Sequence, residues 1–243
     1  MAFFLAKRHQ ETGRWEMNCR LCNGALSFFA SAKILNRFVV SYHRCSVCGS
    51  VMTENPTWLK EAYAKDVDDA SVVCRNSENA RGIMGLCTKQ SKILDYGCGS
   101  GRLTKMLVKE GYNAFGYDKY RKVEFRPGSL KDEYDVVTAF EVFEHFVLPM
   151  EEFASFPKSR VVVISTELFP KTSPKPPGWH YYACWCGQHI FFYTLEALKI
   201  MAKRLGYDRL YSTGLNFHIF AKGHVDTSGY TKAVPRLNFS RIM

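Results

Sequence analysis

The chain has 243 residues, 47% of them hydrophobic and 23% charged, a balance that excludes collagen-like, low-complexity and intrinsically disordered classes. That length suffices for one full domain with a sizeable core and a small appendage. The formal net charge of +10 favours acidic partners such as nucleic acid, anionic lipid or a phosphorylated substrate, although the basic residues are scattered and no run of five or six occurs.

No apolar run approaches the length that crosses a bilayer, so no membrane span is expected. The opening MAFFLAKRHQ has an apolar patch of a few residues and no small-residue cleavage site, so it does not read as a signal peptide, and a cytoplasmic location is the expectation. Nine cysteines, an odd count without a signal, argue against a disulfide framework.

Residues 15–52 hold two CxxC knuckles, NCRLCNG (18–24) and RCSVCGS (44–50), with 22 residues between Cys22 and Cys45. Four thiolates at this spacing, Cys19, Cys22, Cys45 and Cys48, suit tetrahedral zinc, and knuckles on facing hairpins make a zinc ribbon. All four positions are then filled by protein, which points to a structural or substrate-facing zinc rather than a catalytic one. Two rivals stand beside it: redox-active CxxC pairs, or cysteines that merely pack. Residues 53–90 form a connector with a helical look, with WLKEAYAKDVDD (58–69) followed by polar residues.

From residue 91 to about 225, short apolar runs alternate with helix-like segments, the signature of βαβ units around a parallel sheet. Strands are expected at KILDYG (92–97), NAFGYD (113–118), YDVVTAF (134–140) and RVVVIST (160–166), with DRLYST and FHIFAKG as an antiparallel pair. Helices are expected over 101–111 and 194–206, the second with Thr194 as N-cap, basic residues near its end and Gly206 just past it. Residues 226–243 read as a C-terminal tail.

The first strand runs into its helix through ILDYGCGSGRLTKML (93–107), a D-x-G-x-G-x-G turn. Gly97, Gly99 and Gly101 permit a tight turn and close backbone approach to a ligand. Asp118 ends the next strand, 23 residues after Asp95, a spacing that suits a carboxylate accepting from a ribose diol. NAD-binding turns usually read G-x-G-x-x-G without the leading Asp.

This stretch resembles motif I of the class I S-adenosylmethionine-dependent methyltransferases. YDVVTAFEVFEH is similar to their motif IV, and GQHIFFYTLEALKIMAKRLGY to the region after their fifth strand. The arrangement resembles a bacterial type with a CxxC…CxxC module, often linked to sugar and polysaccharide modification, over most of the chain from Cys19 to about Phe220. The resemblance implies an α/β fold: a Rossmann-like sheet with helices on both faces, preceded by a small zinc ribbon. It also implies that the loop of Gly97, Cys98, Gly99 and Gly101, with Asp95, cradles the methionine end of S-adenosylmethionine while Asp118 holds the ribose. One departure stands out: only 15 residues separate Asp118 from Tyr134, so the third strand and its helix must be shortened or missing.

After the fourth expected strand, FPKTSPKPPGWHYYACWCGQHIFFYT (169–194) delivers Trp179, His180 and Tyr181 in quick succession. In a doubly wound sheet this loop lies where ligands bind, so its aromatics and His189 read as a substrate wall for a sugar or base; packing onto the domain is the other reading. Cys184 and Cys186 have no assigned role.

TAFEVFEHF (138–146) places Glu141, Glu144 and His145 directly after an apolar strand. With a helix starting at Val142 they fall at i, i+3 and i+4 on one face, and Glu141 emerges over the cofactor site. Three readings stand. The glutamates complement a helix dipole; or His145 is a general base for a hydroxyl nucleophile, oriented by Glu144 or Glu141. In the third, Glu141, Glu144, His145 and His189 hold a second divalent metal, an arrangement that resembles the site of enzymes that 2′-O-methylate the 3′ ends of small RNAs. Two carboxylates and two imidazoles suit Mn²⁺, Fe²⁺ or Zn²⁺. The expectation is therefore O-methylation of a sugar, glycan precursor or other small molecule, with RNA as the alternative acceptor.

Overall fold

The computed structural model describes residues 7–8, 15–16, 18–64, 70–235 and 237–243. Two compact units share the chain discontinuously: one comprises Met1–Asp66, Glu144–Phe153 and Glu167–Met201, the other Val67–Phe143, Ala154–Thr166 and Ala202–Met243.

The first unit is built on an antiparallel sheet of β1 (Leu26–Ile34), β2 (Phe38–Cys45) and β3 (Val51–Thr53), with the two-residue strand Phe191–Phe192 added to the edge of β3. β1 and β2 pair from Leu26↔Cys45 to Ile34↔Phe38, and the hairpin turns through Leu35 and Asn36, both at positive φ. One sheet face is covered by the segment that follows residue 167. Tyr42 and Tyr182, both under 2% exposed, stack edge-on at 5.4 Å, and Trp58, Ile190 and Phe192 complete the core.

The second unit carries, in chain order, α1 (Ala70–Leu86), β4 (Lys92–Tyr96), α2 (Arg102–Lys109), β5 (Asn113–Tyr117), β6 (Tyr134–Phe140) and β7 (Ser159–Ser165). The helix α3 (Leu195–Arg204) leads into β8 (Arg209–Ser212), β9 (Phe217–Ala221), α4 (Ser228–Ala233) and β10 (Ser240–Arg241). Seven strands line up as β10-β8-β9-β7-β6-β4-β5, with β5, β4, β6 and β7 parallel and β9, β8 and β10 each antiparallel to its neighbour. The runs IL, VV and VVI at the centres of the parallel strands are buried, as a sheet covered on both faces requires. The chain leaves β4 toward β5 on one side and returns to β6 on the other, so β4 is a topological switch point, where ligands bind in folds of this kind.

The four expected parallel strands, the antiparallel β8–β9 pair and both expected helices are present within a residue or two. Thr194 caps α3, its hydroxyl accepting from the Ala197 N–H at 3.1 Å, and Gly206 follows at φ +75°. Residues 118–133 contain no helix and no named strand; a third strand survives only as a bridge at Gly116↔Pro127, held by Gly116 N–H to Arg126 O and Gly128 N–H to Gly116 O. The residues expected as a tail supply α4, packed on α1, and β10 on the sheet edge. Among the described residues, no helix is long and apolar enough to cross a membrane.

Candidate active site

In the second unit the turn after β4 has Gly97, Gly99 and Gly101 at φ +74°, +54° and +73°, a left-handed backbone that favours glycine. A Cβ on Gly97 would lie 2.6 Å from Val142 Cγ2, whereas Cβ atoms on Gly99 or Gly101 would meet nothing within 4 Å. The loop is thus packed at its base and open along its rim. Asp118 ties the rim to the end of β5: one carboxylate oxygen accepts from Gly99 N–H at 3.0 Å, the other from the N–H groups of Tyr120 and Arg121 at 2.8 and 3.0 Å.

Asp95 lies beneath the turn, 4% exposed, and accepts from the hydroxyls of Thr104 at 3.3 Å and Thr138 at 3.1 Å. Burial pushes its carboxyl up to about 7. It braces β4, β6 and α2 together. Thr104 and Thr138 were not singled out by any sequence signal, because a threonine in a helix or strand is unremarkable until its partner is known. Cys98 is half-buried, and burial pushes its thiol up to about 12, so it stays protonated.

Glu141 departs from expectation. A helix from Val142 does not form; Glu141 sits at φ +55° and only a 3₁₀ turn, Phe143–His145, follows before the helix Pro149–Ala154. A non-glycine residue in this region is strained and breaks helical continuity. Ser165 at the end of β7 holds it there: Glu141 N–H donates to the Ser165 carbonyl and hydroxyl oxygens, each at 3.0 Å, and Ser165 Oγ donates to Glu141 Oε1 at 2.7 Å. The i, i+3, i+4 face therefore does not exist, and the Glu141 carboxylate is engaged with Ser165.

Within the first unit, Glu144, His145 and His189 each present one ligand atom, all within 4.8 Å of one another. Glu144 is fully buried, and its Oε1 lies 4.0 Å from His189 Nε2. The His145 and His189 rings are 5.1 Å apart. His145 is half-buried as a residue, but its Nε2 is shut off from solvent and has no hydrogen-bond partner among the described residues. Burial pushes this imidazole well below its usual range, and His189 beside it adds to the shift, so it stays neutral. His189 Nδ1 donates to the Tyr181 carbonyl at 2.7 Å, which leaves Nε2 as the ring nitrogen that faces Glu144. His189 Nε2 and a carboxylate oxygen thus face each other at 4.0 Å, too far for a hydrogen bond and compatible with two ligands of one cation.

The expected substrate wall is exposed only in part. Tyr181 is 5% exposed and packs edge-on against His189 at 4.6 Å; half-buried Trp179 lies against Phe169, Tyr182 and Phe192. His180 is exposed, its Nε2 paired with Glu167 at 3.1 Å. Tyr181 therefore acts through its backbone carbonyl, a role that residue type does not signal.

Cys19, Cys22, Cys45 and Cys48 converge in the first unit, with Cys19–Cys48 and Cys22–Cys45 sulfur separations of 3.7 and 3.4 Å. Tetrahedral zinc with bonds near 2.3 Å sets its thiolates about 3.8 Å apart, so the donor set fits that ion. Backbone N–H groups of Leu21 and Val47 point at Cys19 and Cys45 sulfurs at 3.4 Å, as metal-binding knuckles require. Burial pushes the Cys22 thiol up to about 11, so a cation is needed to hold it as thiolate. Arg20, inside the first knuckle, is half-buried and donates to the Ile190 carbonyl at 3.2 Å, while Ile190 N–H donates to the Glu144 carbonyl at 2.9 Å. One segment thus joins the cysteine cluster to the Glu144–His189 cluster.

No curated protein sequence matches the chain. Solved structures similar to it include human N-acetylserotonin methyltransferase in complex with SAM (14% identity, TM-score 0.44, 63% of this chain and 52% of that one). Others are the mitomycin 7-O-methyltransferase MmcR (13%, 0.44, 63% and 56%) and the methyltransferase domain of a bacterial protein, CtHen1-C (18%, 0.44, 62% and 97%). The chain spans about half the length of the first two. The family model described as a methyltransferase domain matches residues 59–212, which run from the end of the connector through β8. The chain, with its Rossmann-like α/β sheet, belongs to that methyltransferase family.

Proposed function

We propose that this chain is an S-adenosylmethionine-dependent methyltransferase that methylates a hydroxyl of a sugar, a glycan precursor or another small molecule. The observation that carries the acceptor chemistry is the facing pair of His189 Nε2 and Glu144 Oε1, with neutral His145 beside them. In the transfer, the acceptor oxygen attacks the sulfonium methyl, the carbon–sulfur bond breaks, and the hydroxyl proton leaves. The cofactor would lie along the open rim at Gly99 and Gly101, and Asp118 Oδ2, which accepts a single N–H, keeps a lone-pair site for a ribose hydroxyl.

Glu144, His145 and His189 are the groups that would receive the hydroxyl. Two imidazoles and one carboxylate suit a divalent cation such as Mn²⁺, Fe²⁺ or Zn²⁺ with positions left open. Such a cation, held by Glu144, His145 and His189, would lower the pKa of a bound hydroxyl. The Tyr181 carbonyl orients the His189 ring, burial keeps His145 unprotonated, and Glu144 supplies a carboxylate oxygen. The cysteine cluster would hold structural zinc.

The test is calorimetry with S-adenosylhomocysteine, followed by labelled methyl transfer to a panel of sugars and nucleotide sugars. Absence of binding by either cofactor form sinks the reading. RNA as acceptor is favoured by the net charge of +10 and by exposed Lys119, Arg121 and Lys122 beside Asp118. Binding of single-stranded RNA that weakens steeply with salt, with methyl transfer to it, would favour that acceptor; no binding at low salt removes it.

A further inference from the structure

The two cysteine knuckles hold opposite ends of one short segment, residues 189–194, and all the groups involved lie in the first unit. At its start, the Ile190 carbonyl accepts from Arg20 Nη2 at 3.2 Å, from Thr53 N–H at 3.0 Å and from the Thr53 hydroxyl at 3.4 Å. At its end, the Thr194 hydroxyl donates to the carbonyl of Cys48. Arg20 stands between Cys19 and Cys22 in the first knuckle, and Cys48 closes the second. Between these two grips Phe191 and Phe192, both fully buried, pair with Met52 and Val51 of β3.

The first grip reaches the Glu144–His145–His189 cluster through a single peptide. The Ile190 N–H, on the peptide that follows His189, donates to the Glu144 carbonyl at 2.9 Å. Arg20 Nε and Nη1 are shut off from solvent, and the guanidinium lies 5.7 Å from the centre of the Phe191 ring. Fully buried Tyr193 feels the charges of Arg20, Cys19, Glu144 and Glu152, so the guanidinium and both carboxylates border one phenol. A planar guanidinium held in this way fixes a direction as well as a charge.

We propose that the cysteine cluster controls cation binding at Glu144, His145 and His189, with Arg20 as the positioning residue that carries the coupling. The coupling rests on the divalent-cation reading above. A zinc ion bonded to all four sulfurs fixes the distance between the knuckles, and so between the two grips. Residues 189–194 are then held in the register that turns His189 Nε2 toward Glu144 Oε1, 4.0 Å away. Loss of zinc slackens both grips at once. By linkage, a cation at the second cluster tightens zinc at the first by the same factor.

The experiment titrates Mn²⁺ into the zinc-loaded full chain and follows the free ion by electron paramagnetic resonance, with zinc content measured alongside. Wild type is compared with Arg20→Met, Arg20→Lys and zinc-free wild type, and His189→Ala marks the second site. Arg20→Met is expected to keep its zinc and to raise the Mn²⁺ Kd by about 10–100-fold, the usual cost of losing a group that orients a metal ligand. Arg20→Lys, which keeps a donor for the Ile190 carbonyl, should fall between the two, and zinc-free wild type should bind Mn²⁺ at least about tenfold more weakly. An unchanged Kd in Arg20→Met, or one that ignores zinc removal, overturns the proposal. Loss of zinc from Arg20→Met overturns it too, since Arg20 then serves only to build the knuckle. If the methionine variant does not fold, Arg20→Gln carries the same comparison. Wild type that binds Mn²⁺ no better than His189→Ala would instead strike the cation reading itself.

Discussion

Gly97 and Gly99 share a left-handed backbone but differ in what surrounds them, and that difference predicts two kinds of damage from one substitution. Alanine in this region costs about 1–2 kcal/mol at either site. At Gly97 the new methyl also lies 2.6 Å from Val142 Cγ2, an overpacking that adds about 1–3 kcal/mol. Gly97→Ala is therefore expected to destabilise the cofactor-free protein by about 2–5 kcal/mol, and Gly99→Ala by only about 1–2 kcal/mol. For a chain of this size each kcal/mol shifts Tm by roughly 2–4 °C, so the two separate in a thermal melt. Binding should rank them in the reverse order. The methyl on Gly99 projects from the open rim, where the cofactor would approach, and a tenfold or greater rise in the Kd for S-adenosylhomocysteine is expected by calorimetry. The reasoning is refuted if Gly99→Ala binds that product like the wild type, or if both variants lose equal stability.

The other predictions concern the buried carboxyl and the two clusters. Asp95, held near 7 against an ordinary 3.8, keeps its proton in the folded state over a range where the unfolded chain has lost it, so its contribution to stability falls as pH rises from 3.8 to 7. Asp95→Asn should gain on the wild type by up to about 4 kcal/mol between those limits and no further above them; a gap that ignores pH in urea titrations would contradict the assignment. Elemental analysis should find zinc bound by the four cysteines. Cys48→Ser should lower both zinc content and methyl transfer while S-adenosylhomocysteine still binds; full transfer by a zinc-free protein would break the link through Arg20 and Ile190. His189→Ala and Glu144→Gln should cut methyl transfer by about 10²–10⁴ with Kd for the product within about twofold, and transfer at wild-type rate would remove the cluster from the chemistry.

How much of this was legible in the sequence follows from the range of the interactions. The strands YDVVTAF and RVVVIST declare themselves because burial on both faces of a parallel sheet demands continuous apolar runs. α3 declares itself through Thr194, Lys203, Arg204 and Gly206, each of which acts within a turn of the helix end. The cysteine pairs were equally readable, because knuckle geometry is local even though the two knuckles lie more than 20 residues apart. Glu141 was misread for the opposite reason. Helical spacing predicts a shared face, but a partner on a different strand, Ser165, draws this residue into the left-handed region and ends the helix before it starts.

The same contrast separates Glu144 and His145 from the residues that make them useful. Their identity and their closeness to His189 in a cluster were expected from residue type; what aims them is backbone. A carbonyl at Tyr181 orients the ring of His189, and the Ile190 N–H ties the next residue to the Glu144 carbonyl. Any side chain at 181 leaves that carbonyl in place, provided its ring is replaced by something that fills the same core. Tyr181→Phe should therefore leave methyl transfer near the wild-type rate, because it keeps the carbonyl that bonds His189 Nδ1. Tyr181→Ala should lose transfer together with stability, by about 3–5 kcal/mol for a truncated buried aromatic. A large loss of transfer in Tyr181→Phe at unchanged Tm would give the phenol a direct role in the reaction and show that the carbonyl alone is not what this residue provides.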